Sequence, residues 1–119
     1  MIKRLLIAFG LLIVLVGCGS SSSSEETVLT ASTVIVDVRT PAEYAEGHVE
    51  GSINLDLESG QFEAELPNLD PAQPYIVYCR SGRRSGVAVE IMKASGFTQI
   101  TDYQTLENAA NNTGLPIIE

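Results

Sequence analysis

The chain is predicted to fold as an α/β domain with a mainly parallel central sheet and helices on both faces, and three observations predict it. Short runs of β-branched and aromatic residues alternate with helical patterns along residues 27–119. Those runs are apolar at consecutive positions, as in strands buried on both faces. Glycine and proline mark the joins between them. About ninety residues suffice for one small domain with a single core, and no internal repeat is visible.

The elements follow in order. Val34-Ile35-Val36-Asp37-Val38 reads as a first buried strand. Residues 41–45 open a short helix, with Thr40 as its cap and Pro41 at its first position. Gly51-Ser52-Ile53-Asn54-Leu55 reads as a short strand after a glycine-marked turn, and residues 61–66 are weakly helical until Pro67 and Pro71 end the pattern. Tyr75-Ile76-Val77-Tyr78 is a second buried strand. A helix over residues 83–95 follows it, closed by Gly96. Residues 97–101 are expected to form a last strand and residues 104–111 a last helix.

Cys79 follows the Tyr75-Ile76-Val77-Tyr78 strand and begins a loop, Cys79-Arg80-Ser81-Gly82-Arg83-Arg84, that leads through Ser85 into the helix. Ligands of parallel sheets bind beyond the carboxyl ends of the strands, which is where Cys79 lies. A helix entrance and neighbouring guanidinium groups favour a thiolate over a thiol, and the thiolate is the nucleophile. With Gly82 lending the backbone freedom for a cradle of N–H groups, the loop reads as a small-anion site. His48 is the single histidine, so no clustered histidine metal site is expected. His48 is expected to hold the turn before Gly51.

Charge sharpens this reading. The chain carries a net charge of −8. Residues 1–17 contain Lys3 and Arg4 and none of the fifteen acids, so without them the charge is −10. Arg39, Arg80, Arg83, Arg84 and Lys93 then remain, three of them in the one loop. An acidic body repels anions elsewhere and excludes nucleic acid as a partner. Surface acids could pair with one or two of these arginines, and Arg84 is the one placed to turn inward.

The amino-terminal residues carry an address. Lys3-Arg4 precedes an apolar stretch over residues 5–16, shorter than the ~20 residues that span a bilayer but within the range of a signal-peptide core. It ends in Leu15-Val16-Gly17-Cys18, which resembles the bacterial lipobox. The resemblance implies a signal peptide over residues 1–17, lipidation of Cys18, and a membrane anchor made of lipid alone. Residues 18–26, with serine from 20 to 24, form a solvated tether, and residues 27–119 the domain. Gly19 in place of aspartate implies, by resemblance to Gram-negative lipoproteins, a periplasm-facing outer-membrane location. With Cys18 lipidated, Cys79 has no disulfide partner within the chain. A leftover thiol in an oxidising compartment is either buried and inert or exposed and used, and the adjoining arginines point to use.

Two stretches together resemble the rhodanese family of sulfurtransferases. Asp37-Val38-Arg39-Thr40-Pro41-Ala42-Glu43-Tyr44, continuing to Gly47-His48-Val49-Glu50-Gly51-Ser52-Ile53-Asn54, is similar to the family's amino-terminal signature. Val77-Tyr78-Cys79-Arg80-Ser81-Gly82-Arg83-Arg84-Ser85 is similar to its active-site segment. The resemblance implies a rhodanese-like fold and sulfane-sulfur transfer through a persulfide on Cys79, without metal or organic cofactor. Its partners would be a small anionic donor such as thiosulfate and a thiol or cyanide acceptor. Arg80, Ser81, Gly82, Arg83 and Arg84 would bind the donor. Asp37 and Arg39 would pair with each other, brace the loop or touch substrate, and Glu43 would serve as a hydrogen-bond partner rather than a base.

Related phosphatases and arsenate reductases use a loop one residue longer. Here Ser85 occupies the position of their arginine, while Arg84 follows Cys79 after four intervening residues. The shorter loop favours sulfur as the attacked atom. The chain also departs from the family: where rhodaneses often carry a double glycine and then a tryptophan, it has Thr101-Asp102-Tyr103-Gln104-Thr105-Leu106-Glu107 and no tryptophan. A tethered persulfide carrier or protein-docking module with little turnover is the alternative of a different class.

Overall fold

The structure, a computed structural model, describes residues 29–119. The expected signal peptide, Cys18 and the serine tether lie outside the described residues. Among those described, no helix is long and apolar enough to cross a membrane.

Four parallel strands form the central sheet. β1 (Val34–Asp37) lies between β3 (Ile53–Asn54) and β4 (Tyr75–Cys79), and β5 (Ile100–Thr105) is the far edge. A short ribbon pairs β2 (His48–Val49) antiparallel with β6 (Ile117–Ile118). The α/β class and the mainly parallel sheet match the sequence expectation.

Side-chain parity along β4 sorts the core into two layers. Tyr75, Val77 and Cys79 face one side, with Val36, Val38, Phe62, Ala88, Val89 and Met92. Phe62 comes from α2 (Gln61–Glu65), and Ala88, Val89 and Met92 from α3 (Arg83–Ala94). Ile76 and Tyr78 face the other side, with Ile35, Val49 and Ala109 of α4 (Leu106–Thr113). All five β4 residues are buried, which explains why this run reads as continuously apolar. The period of two places the Cys79 side chain in the α3 layer, beneath that helix's amino end.

The helix between β1 and β2, α1 (Pro41–Glu46), starts as expected. Thr40 accepts the Glu43 N–H, the Glu43 carboxylate accepts the Thr40 N–H, and Pro41 fills the first position.

Two expectations are displaced. The strand expected over residues 97–101 is β5, Ile100–Thr105, and the chain's last strand is β6, which was not expected. Gly96 at φ 93° ends the helix, and Phe97 is buried as a plug, its ring edge-on to Tyr75 at 5.2 Å. The polar residues that follow take the strand because their main chain pairs with β4. The last helix therefore starts at Leu106 rather than at residue 104, capped by Thr105 Oγ1 accepting the Asn108 N–H at 3.1 Å. The β2–β6 ribbon was not expected at all.

Candidate active site

Cys79 is the last residue of β4, and its sulfur sits where the chain turns into α3. Gly82, at φ 92°, is the residue before the helix, and its N–H donates to Cys79 Sγ at 2.9 Å. Ser85 Oγ lies 3.5 Å from Sγ and donates to the Gly82 carbonyl at 3.1 Å. From β5, the Gln104 carbonyl accepts from Sγ at 3.3 Å. Expected to be exposed, the Cys79 thiol is instead wholly buried, at 0% accessibility.

The three loop arginines part ways. Arg80 and Arg83 are exposed, as is Ser81, and among the described residues neither arginine forms an ion pair. Arg84 turns to Glu43, with Nη1 at 2.7 Å from Oε1 and Nη2 at 3.0 Å from Oε2, and Glu58 lies 3.9 Å away. The loop thus carries two exposed guanidinium groups without an ion-pair partner among the described residues, and the third is neutralised. The hydrogen bonds from Arg84 foremost, with help from Thr40, hold the Glu43 carboxyl at about 2, against an ordinary 4.5.

Asp37 and Arg39 pair with each other in the interior. Arg39 Nε donates to both carboxylate oxygens at 2.9 and 3.1 Å, and its Nη2 donates to Asp37 Oδ2 and to the Gly47 carbonyl, both at 2.6 Å. The Arg39 guanidinium also lies 5.7 Å from the Tyr78 ring centre. Asn54 donates to the Asp37 and Arg39 carbonyls, tying β3 to the same corner. His48 stacks on Tyr44 at 3.7 Å and donates from Nδ1 to the Tyr44 carbonyl at 2.8 Å. The amino-terminal signature residues are therefore framework around the loop.

A shallow cavity of about 130 Å³ lies beside the loop, lined by Arg39, Glu43, Glu46, Arg80, Leu106 and Glu107. A larger cleft of about 260 Å³, lined by Leu66, Pro67, Leu69 and Phe97 among others, opens near the amino ends of β4 and β5, away from Cys79. No group of three or more metal-ligating side chains converges among the described residues.

Sequence reasoning named Gln104 only as part of a departure from a pattern, and Ser85 as the lead into the helix and the residue standing where related phosphatases carry an arginine. Both contact Cys79. For Gln104 the available signal was that very departure.

Comparison with known proteins agrees with this geometry. A family model described as Rhodanese-like domain matches residues 14–105. The thiosulfate sulfurtransferase PspE of Escherichia coli is 35% identical over 75 residues, 63% of this chain and 72% of that protein. The thiosulfate:glutathione sulfurtransferase of Saccharomyces cerevisiae is 34% identical over 83 residues, covering 60% of each chain. The chain thus spans about three-fifths of that relative's length. Among solved structures, a rhodanese with anions from E. coli superposes with a TM-score of 0.60 at 31% identity, over 73% of this chain and 98% of that one.

Proposed function

Because the chain belongs to the rhodanese-like family of sulfur-transfer proteins, we propose that it moves sulfane sulfur from thiosulfate or a similar anionic donor to a thiophilic acceptor through a persulfide on Cys79. The Cys79 thiolate attacks the outer sulfur of thiosulfate. The donor's S–S bond breaks, and its electron pair leaves on sulfite. Cys79 then carries the extra sulfur as a persulfide anion. A thiol or cyanide attacks that terminal sulfur, the persulfide bond breaks, and the thiolate is restored. No net redox partner or cofactor is required.

The observation that carries this reading is the 2.9 Å hydrogen bond from Gly82 N–H to Cys79 Sγ at the start of α3. It sets a donor on the atom that bears negative charge before attack and after release. Arg80 and Arg83, exposed on the same loop, supply positive charge for the incoming donor. Arg84, committed to Glu43, is not free to clamp a phosphoryl group, which weighs against phosphatase chemistry.

Thiocyanate release by the full chain, compared with Cys79→Ser, tests the proposal, with intact mass measured after thiosulfate treatment. Cysteine-dependent turnover and a mass gain of one sulfur atom are expected. Neither appearing would overturn it. The buried sulfur favours a second reading, a persulfide carrier that loads but turns over slowly. Loading in mass without thiocyanate release would select it.

Lipidation at Cys18 would hold the domain on the cell envelope, facing the periplasm. Incorporation of a fatty-acid probe by the full chain, and its loss in Cys18→Ala, tests this.

A further inference from the structure

We propose that Gln104 is the gate of the Cys79 site and restricts it to compact sulfur donors. This rests on the sulfur-transfer reading for the choice of substrate, though not for the gate itself. Three sets of contacts surround the sulfur: Gly82 N–H at 2.9 Å, Ser85 Oγ at 3.5 Å and the Gln104 carbonyl at 3.3 Å. They differ in what happens when the sulfur becomes an anion. The Gly82 N–H donates to it, and the Ser85 hydroxyl can turn to do the same. The Gln104 carbonyl can only accept, so its dipole repels the anion. Of the walls around Cys79, the β5 wall is the one that charge formation pushes away.

That wall is also held in an unusual way. Gln104 has φ 69°, the only positive value outside glycine among the described residues. It follows a register shift opposite Val77 and Tyr78, where β5 fits one extra residue between Asp102 and Gln104. Asp102 Oδ1 accepts the Gln104 N–H at 2.8 Å and holds the turn in place. The root of its side chain lies against the loop: a Cβ added to Gly82 would come 3.1 Å from Gln104 Cβ and 3.5 Å from its Cγ. At Gly82 the gap between loop and β5 is too narrow for a methyl group without a shift of Gln104.

A donor must therefore displace Gln104 before its outer sulfur reaches Sγ. A compact anion such as thiosulfate needs a small displacement. A persulfide carried on a peptide thiol, such as glutathione persulfide, needs a larger one. Glycine at position 104 would adopt the same backbone without strain and leave the passage open. Asparagine tolerates positive φ while keeping a Cβ and Cγ against Gly82.

The test is the alkylation rate of the full chain by iodoacetamide and by a bulky fluorescein maleimide, read at Cys79 by peptide mass spectrometry so that Cys18 is not counted. Gln104→Gly should raise the rate about tenfold, and more for the bulky reagent, while Gln104→Asn stays within about twofold of the parent protein. Gln104→Gly should also lower the KM for glutathione persulfide more than that for thiosulfate. Gly and Asn variants that alkylate alike, or a Gly variant unchanged with both reagents, would overturn the gate. Faster alkylation of Gln104→Gly without sulfur transfer by any form would uphold the gate and overturn the proposed function.

Discussion

Arg84 lies against Glu43 with two parallel hydrogen bonds, 2.7 and 3.0 Å, across 41 residues of sequence. The pair joins the first turn of α3 to the capping box of α1, so the Cys79 loop and the amino-terminal signature are held as one piece. Each side chain is 18% exposed, which leaves the bond partly screened yet geometrically bidentate.

Glu43→Gln should therefore destabilise the domain by about 1 kcal/mol at neutral pH. The folded carboxyl titrates at about 2 and the free one at 4.5, a depressed value. Its contribution is complete above 4.5 and is lost as pH falls toward 2. Urea denaturation of both forms along that pH range checks it: the two stability curves should converge on acidification.

Asp37→Asn leaves the buried Arg39 guanidinium without its counter-charge. Breaking one side of a buried pair costs about 3 kcal/mol or more. A large fall in melting temperature is expected, with the thiosulfate KM of any folded fraction little changed, because the pair touches framework rather than the loop's open face. Thermal denaturation followed by kinetics on the folded fraction separates the two effects.

Gly82→Ala places a side chain at φ 92° and 3.1 Å from Gln104 Cβ. A cost of about 1–3 kcal/mol is expected from the backbone alone. The displaced N–H also loses its bond to Cys79 Sγ, so kcat should fall by more than the folded fraction does. Chemical denaturation and single-turnover sulfur loading check the two parts.

Arg80→Ala and Arg83→Ala should each raise the KM for thiosulfate, about threefold, and leave stability within about 0.5 kcal/mol. Added salt should raise the parent protein's KM in the same direction, and less so in the double variant. Steady-state kinetics at two ionic strengths suffices.

The parts of this fold that were legible in the sequence are those with local causes. Thr40, Pro41 and Glu43 spell a helix start within four positions, and Tyr75 to Cys79 is buried on both faces, so its pattern is continuous. β5 is shifted from its expected place because Phe97, the aromatic residue of that segment, plugs the core against Tyr75, while Thr101, Asp102 and Gln104 join the ladder through their main chain. The two-residue β2–β6 ribbon has no periodicity to read. At the site, the cysteine and its charged loop are contiguous and stand out. Arg84's partner lies 41 residues away and the carbonyl covering Cys79 lies 25 away, and neither contact leaves a trace in the spacing of charges.

The extra residue in β5 has a wider consequence. Pairing is regular before it, at Val77 with Asp102, and is resumed after it, at Tyr78 with Gln104 and Cys79 with Thr105. The offset is absorbed within a single step, and the extra residue, Tyr103, packs on the hydrophobic layer of Ile35, Val49, Ile76, Tyr78 and Ala109. Tyr103 therefore fastens this step to the core, while Gln104, one position on, is exposed and turns its carbonyl to the Cys79 sulfur. The boundary between what holds the strand in the fold and what faces the cysteine is one residue wide.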